Sequence, residues 1–166
     1  MMKRTLAVLA GLMVLSPVAQ AAPALQPGEV SDHVAQTALK TAQARAVALD
    51  AHVCLVVVDP AGVMKAFLRM EGAPAGCVES AMAKARAAAL YHAPTINFMN
   101  RVNAGEPALL ALPGMVPLGG GVPAKTAAGV WLGAFGSAGS TNPNEVQIAG
   151  AGADALAQAS AAEAAR

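Results

Sequence analysis

Residues 53–73, VCLVVVDPAGVMKAFLRMEGA, contain the pattern that decides the predicted fold. Residues 53–58 are an apolar, mostly β-branched run, residues 59–62 supply turn-forming Asp, Pro and Gly, and residues 63–70 are a second apolar run. This pattern predicts a β-hairpin of two antiparallel strands. Because the first run is almost continuously apolar, we expect its strand to lie in the centre of a sheet covered on both faces.

Helical patterns flank this hairpin on both sides. Ser31 and Asp32 are favourable N-cap residues for a first amphipathic helix that ends near Leu49. Further helices are predicted over residues 77–90, which are rich in alanine, over residues 95–106, and after a turn at residues 139–144. Residues 129–137 predict another strand. The predicted fold class is therefore α/β (α+β), with helices packed on an antiparallel sheet.

The first 21 residues have the three parts of a signal peptide. Residues 1–4 are basic, residues 6–15 are an apolar run too short to span a bilayer comfortably, and residues 19–21 are a small-x-small cleavage site. No lipoprotein cysteine follows. We expect a mature single domain of residues 22–166, located in the periplasm or secreted, without membrane association after cleavage.

The composition excludes some classes of partner. The chain is 55% hydrophobic and only 13% charged, which is typical of a compact globular protein. Its formal net charge is +1, no Lys or Arg cluster follows the leader, and aromatic residues make up 3% of it. These values give no indication of a nucleic-acid partner, because they predict neither a basic patch nor a base-stacking surface.

The chain has two cysteines, Cys54 and Cys77. In an oxidising compartment they are expected to form a disulfide. The alternative is that one of them is a soft ligand of a metal or of haem iron. Sequence separation does not show whether their Cα atoms lie within bridging distance, so both interpretations stay open.

Residues 107–125 are the stretch richest in glycine and proline. Within it, Gly119, Gly120 and Gly121 permit backbone conformations closed to other residues, which suits either a tight connection or the close approach of a ligand. They lack the spacing of a dinucleotide fingerprint, and the chain has no Walker loop, nucleophile elbow or HExxH segment. No catalytic residue is predicted, and any enzymatic activity would come from a bound cofactor.

Several segments occur in an order that resembles one known family. They are VVVDPAGVMKAFLRMEGAP, SAMAKARAAA, PGMVPLGGGVP, GVWLGAFGSAGS and AGAGADAL. Together they resemble the GlcG/HbpS family, which includes the C-terminal domain of PduO-type proteins, over residues 31–156. The chain differs from the usual family sequence pattern at two places. Glu71 stands where Asp is common, and GAFGSAGS replaces a GAIGVSGG-like segment.

The resemblance implies a profilin-like fold, with an antiparallel sheet of about five strands flanked by helices, and symmetric homo-oligomers. Family members are described as haem-binding, and some as haem-degrading or as redox-linked extracellular haem sensors. Together with the predicted signal peptide, the resemblance implies an exported haem (tetrapyrrole)-binding protein of the GlcG/HbpS type with a role in haem storage, sensing or handling.

A bound haem needs an axial iron ligand, an apolar pocket and groups that hold its propionates. His33 is the predicted iron ligand, because a helix holds an imidazole at a defined angle. The alternative is that His33 is a solvated residue near a helix N-terminus. His52 and His92 are predicted to be loop or packing residues.

Arg69 and Lys84 are the predicted cations for haem propionates. Alternatively, Arg69 pairs with a nearby carboxylate and Lys84 belongs to a solvated helix face. Gly119, Gly120 and Gly121 are the predicted ligand wall, because backbone N–H groups in such a loop can bind anionic oxygens. Three methionines are predicted to fill the core: Met70, Met82 and Met115. The alternative function is an accessory module that binds another small acidic ligand or a cofactor precursor with the same cations and glycines.

Overall fold

The computed structural model describes residues 28–166, so the predicted signal peptide lies outside the described residues. The elements, in chain order, are α1 (Asp32–Ala48), β1 (Cys54–Val58), β2 (Met64–Arg69), α2 (Cys77–Tyr91), α3 (Thr95–Asn103), a 3₁₀ turn (Pro107–Ala111), β3 (Gly121–Lys125), β4 (Trp131–Ala138) and α4 (Asn142–Ala164). Among these residues, no helix combines the length and the apolar character needed to cross a membrane.

The four strands form one antiparallel sheet in the order β2-β1-β4-β3. The predicted hairpin is confirmed, since Val56 of β1 is opposite Phe67 of β2. On its other side, Val56 is opposite Gly136 of β4. All five residues of β1 are buried, as expected for a central strand with both faces covered.

The strand count differs from the expectation. Within residues 28–166 the sheet has four strands, not about five. One of the four, β3, comes from the stretch that we expected to be mainly loop because of its glycines and Pro123. Proline removes one backbone donor, but β3 is an edge strand, and an edge strand can lack a donor on its open side.

The sheet separates two apolar cores, because alternate residues of a strand point to opposite faces. Leu55 and Val57 of β1 pack with buried residues of α1 and α4. Cys54, Val56 and Val58 pack on the other face with the alanines of α2. Helix α2 therefore lies on the opposite side of the sheet from α1 and α4.

Small side chains bring α2 very close to β4. A Cβ atom placed on Gly136 would overlap the carbonyl oxygen of Ala81 and lie 2.9 Å from the Cβ atom of Ala85. Real Cβ atoms do not approach other atoms so closely, so Gly136 and the alanines are matched in size. The small alanine side chains of α2 thus allow the helix to pack closely on the sheet.

Ser31 fixes the beginning of α1. Its Oγ accepts a hydrogen bond from the backbone N–H of Val34 at 3.2 Å, which confirms the predicted N-cap. The same hydroxyl donates to Glu163 Oε2 at 2.8 Å. The first turn of α1 is therefore held beside the last turn of α4.

Candidate functional site

Cys54 and Cys77 form a disulfide that joins β1 to the first residue of α2, with a Cα–Cα distance of 5.4 Å. This resolves the alternative that the sequence left open. Neither cysteine is free, so in this structure neither thiol is a candidate ligand for iron. Both residues are buried and belong to the α2 side of the sheet.

Lys84 does not lie on a solvated helix face. Its side chain is 3% exposed, and Nζ contacts Glu145 Oε2 at 2.6 Å. The other carboxylate oxygen of Glu145 accepts hydrogen bonds from the backbone N–H groups of Gly139 at 2.8 Å and Ser140 at 3.0 Å. This buried ion pair uses the charge of Lys84 to join α2 to the first turn of α4.

The three predicted wall glycines are all buried, and Gly120 and Gly121 lie against residues of the same ion pair. A Cβ atom on Gly119 would lie 2.7 Å from Val146 Cγ2, and one on Gly120 would lie 3.1 Å from the Cβ of Glu145. A Cβ on Gly121 would overlap the backbone carbonyl of Lys84. Protein atoms fill the space beside these glycines, so the packing gives no support to a ligand wall at this position, and that role stays a prediction.

The other two predicted site residues lie elsewhere. His33 is exposed in the first turn of α1, on the opposite side of the sheet from Lys84. Arg69 ends β2, and its Nε and Nη2 donate to the carbonyl of Ala73 at 3.2 and 2.6 Å. The structure brings Lys84 together with the three glycines but does not bring His33 to them. As ligand residues, all six stay predictions.

The remaining histidines make local contacts. His52 Nδ1 lies 2.7 Å from the carbonyl oxygen of Glu71, across the end of the hairpin. The ring of His92 stacks on Trp131 at 4.2 Å between centroids and 8° between planes. The Nζ atom of Lys125 lies 5.5 Å from the centre of the Trp131 ring. These contacts agree with the expected loop and packing roles.

Three surface cavities allow a test of whether a haem fits residues 28–166. A cavity of 330 Å³ is lined by Glu29 and Glu163, whose charges would repel haem propionates. A groove of 480 Å³ between α1 and α4 is lined by alanines, Thr37, Thr41, Asp154 and Gln158, and holds no imidazole, thiol or thioether. Neither offers an iron ligand together with a cation.

The third cavity, of 260 Å³, lies between α2 and residues 114–116, and we refer to it as the methionine groove. It is lined by Glu79, Met82, Ala83, Arg86, Gly114, Met115 and Val116. Thioethers are haem-iron ligands, apolar side chains suit the macrocycle, and a guanidinium suits a propionate. The groove offers these groups, but its lining also includes Glu79, whose charge would repel a propionate. In size, the groove falls just below the usual range for pockets, about 300–1,000 Å³, so it would cover only part of a haem.

Both walls of the methionine groove are held in place. Arg86 Nε donates to the carbonyl of Gly62 at 3.0 Å, which ties α2 to the turn of the β1-β2 hairpin. The hydroxyl of Tyr91, the last residue of α2, donates to the carbonyl of Pro113 at 2.6 Å. The backbone N–H of Met115 donates to the carbonyl of Leu112 at 3.1 Å.

The groove contains residues that sequence reasoning did not select. Met82 and Met115 were expected to fill the core, but both are half-buried and line an open groove. Met82 follows Glu79 by three residues and precedes Arg86 by four, so the three share one face of α2. That spacing was visible in the sequence, whereas the approach of residues 114–116 was not. In residues 28–166, no group of three or more His, Cys, Asp or Glu side chains could hold a metal ion.

Comparison with known proteins agrees with this fold. The chain has a TM-score of 0.70 and 31% identity with a double mutant of HbpS from Streptomyces reticuli, covering 86% of this chain and 98% of that one. A complex of PduOC with haem has 24% identity and a TM-score of 0.68, covering 76% and 94%. Klebsiella pneumoniae ORFY has 22% identity and a TM-score of 0.70, covering 84% and 97%. No curated protein matches the chain in sequence.

Residues 28–166 form an α+β domain in which four helices cover a four-stranded antiparallel sheet. Residues 30–154 match the family described as haem degrading protein HbpS-like. The chain therefore belongs to the HbpS-like family, as the sequence resemblance indicated. The likeness to PduOC and ORFY is below 25% identity and supports the fold alone.

Proposed function

We propose that this protein is an exported haem-binding protein that stores, senses or delivers haem. The observation that carries the proposal is the match of residues 30–154 to the HbpS-like family, together with 31% identity to HbpS over most of both chains. The PduOC relative was crystallised with haem. The profilin-like classification is part of the same proposal.

The direct test is a titration of the purified protein with hemin, followed by its absorption spectrum. We expect a saturable Soret band with a defined stoichiometry. His33 is the iron ligand proposed from the sequence, and His33→Ala should weaken the band if its imidazole binds iron. A weak spectrum that never saturates in the unmodified protein would contradict haem binding itself.

Export is the second part of the proposal, with residues 22–166 as the mature single domain. The disulfide between Cys54 and Cys77 supports it, because stable disulfides belong mainly to oxidising compartments. The test is mass spectrometry of protein recovered from the periplasm or medium, where the N-terminus should be Ala22 or close to it. An unprocessed chain that stays in the cytoplasm with reduced cysteines would contradict export.

One observation favours a second candidate function. The methionine groove is small for haem, and Arg86 could pair with the carboxylate of a smaller acidic ligand. Such a ligand should raise the melting temperature with concentration, as mass action requires. A screen of carboxylates that shifts the melting temperature while hemin does not would favour this alternative.

A further inference from the structure

We infer that the protein has a second binding site, for a small organic cation, in the 330 Å³ cavity lined by Glu29 and Glu163. The ligand class is an ammonium group on an apolar body. We call this site the acidic cavity, and its walls are Gly28, Glu29, Thr126, Val130, Leu132, Ser160, Glu163 and Ala164. The inference does not depend on haem binding, because charges that repel a propionate attract an ammonium.

Three segments of the chain form the acidic cavity. Residues 28–29 precede α1, residues 126–132 run from the β3-β4 turn into β4, and residues 160–164 end α4. A Cβ atom on Gly28 would lie 2.7 Å from the carbonyl oxygen of Trp131, so these two segments pack closely. The turn is closed by the N–H of Val130, which donates to Thr126 Oγ1 at 3.1 Å. The volume is within the usual range of ligand pockets, about 300–1,000 Å³.

The carboxylate of Glu163 is the group that would hold the cation. Its Oε2 accepts a hydrogen bond from the hydroxyl of Ser31 at 2.8 Å, and its other oxygen has no hydrogen-bond partner among the described residues. Within residues 28–166, Glu163 makes no ion pair. The ammonium of Lys65 is used by two other carboxylates, those of Glu29 at 3.7 Å and Asp32 at 3.4 Å. Glu163 therefore keeps an unneutralised charge at the cavity wall.

The end of α4 adds to this negative charge. The carbonyl groups at a helix C-terminus carry about half an elementary negative charge, which favours a basic side chain in the last turn. The last turn of α4 has no basic residue and contains Glu163 instead. The N-terminus of α1 lies beside it at Ser31, and its partial positive charge offsets that of the α4 end but not the carboxylate. A cation is therefore the group that this end of the molecule lacks.

A buried hydroxyl supplies a second polar group. Ser160 lines the cavity, and its Oγ is buried without a hydrogen-bond partner among the described residues. Ser160 precedes Glu163 by three residues, so the two share one face of α4. A buried polar atom without a partner costs free energy, and an ammonium has three donor hydrogens to share between a carboxylate and a hydroxyl. Val130, Leu132 and Ala164 offer apolar contacts to the hydrocarbon body.

The test is calorimetric titration of the purified full chain with three probes of equal chain length: butylammonium, butanol and butanoate. We expect saturable binding of butylammonium, weaker binding of butanol and none of butanoate, because only the first carries a charge opposite to that of Glu163. Binding of butylammonium should weaken as salt is added, since salt screens an ion pair. In heteronuclear NMR spectra, butylammonium should shift the amide signals of residues 126–132 and 160–164.

Variants assign the binding to the two polar groups. Glu163→Gln keeps the shape of the side chain and should weaken butylammonium binding by about tenfold, because hydrogen bonds to charged groups are the stronger ones. Glu71→Gln is the matched control, since it removes the same charge from an exposed residue outside the cavity and should leave binding unchanged.

Ser160→Ala should weaken butylammonium binding severalfold but keep or raise the melting temperature without ligand, because it removes a buried hydroxyl that has no partner. All variants are also melted without ligand, which separates a loss of binding from a loss of folding.

The inference is wrong if butylammonium does not bind saturably, or if butanol binds as tightly as butylammonium. It is equally wrong if Glu163→Gln binds butylammonium as tightly as Glu71→Gln does, because the charge of Glu163 would then play no part. Hemin does not enter these titrations. Failure of this inference and failure of the proposed haem binding are therefore observed independently.

Discussion

The carboxylate of Glu145 binds three groups from two parts of the chain. It accepts hydrogen bonds from the ammonium of Lys84 and from the backbone N–H groups of Gly139 and Ser140. Replacing its carboxylate would leave a buried, unpaired lysine charge. We expect Glu145→Gln to lower the free energy of unfolding by about 3–5 kcal/mol. Urea denaturation followed by circular dichroism measures this change.

The exposed ion pair between Arg101 and Glu106 is the control for that experiment. The hydrogen bond from Arg101 lowers the pKa of the Glu106 carboxyl. The ion pair therefore stabilises the folded protein above the unfolded-state pKa of Glu106. This stabilisation is lost as the pH falls through the lowered folded-state pKa. Both side chains are about half exposed, at 52% and 49%, so water and salt screen the pair. Glu106→Gln should barely change unfolding at neutral pH, and equal losses in the two variants would contradict this interpretation.

Gly136 and Gly150 give opposite expectations for the same substitution. Gly136→Ala would push a methyl group into the backbone of α2, and we expect it to destabilise the protein by about 1–3 kcal/mol or more. Gly150 lies inside α4, and apart from its own turn of helix a Cβ there meets no atom of the described residues within 4 Å. Gly150→Ala should therefore stabilise by roughly 0.5–1 kcal/mol. Thermal melts of both variants check the signs, and a stabilised Gly136→Ala would refute the close contact.

At the residue scale, sequence patterns identified residue types better than partners. The N-cap at Ser31 was predictable because it depends on residues three apart. The partner of Lys84 was not, since Glu145 is 61 residues away in the chain. The same limit applied to Cys54 and Cys77, whose pairing depends on how β1 and α2 meet.

At the scale of elements, the disulfide joins the central strand to the helix beside it, with a sequence separation of 23. Removing it frees this loop in the unfolded chain. We expect Cys54→Ala with Cys77→Ala to lower the free energy of unfolding by about 3 kcal/mol. Denaturation with and without a reductant is the measurement. The reductant should destabilise the unmodified protein but not the double variant, and equal sensitivity of the two would contradict the prediction.

Helices and apolar strands were predictable because their periodicity is local. The first two helices and the β1-β2 hairpin begin and end within a few residues of the expected positions. Strand β3 was not predicted as such, because Gly121 and Pro123 are residues that weaken strands. Its strand conformation comes from its tertiary pairing with β4. Local propensity did not contain that information.

For the molecule as a whole, the sheet decides which residues can share a site. It places His33 on the side of α1 and α4, and the methionine groove on the side of α2. Sequence motifs indicated a family and a set of ligand types, but not the side of the sheet on which each type lies. That assignment depends on strand order, which the hydrophobic pattern alone does not determine.

Exposed leucines on both sides of residues 114–116 in the chain lead to a prediction about self-association. Leu110, Leu112 and Leu118 are 57%, 39% and 46% exposed, and they flank residues 114–116 of the groove wall. Exposed leucines this close together in the chain make residues 110–118 a candidate association surface. Because homo-oligomers are part of our proposal, we expect sedimentation to give a mass greater than that of one chain.

Leu110→Ser with Leu118→Ser should shift that mass toward the monomer, since it removes apolar area from the surface where copies would meet. Val47→Ser is the matched control, because Val47 is 65% exposed but lies on α1, across the sheet from the groove. It should leave the mass unchanged. If the leucine variant sediments like the unmodified protein, or if the valine variant alone dissociates, copies of this chain do not meet at these leucines.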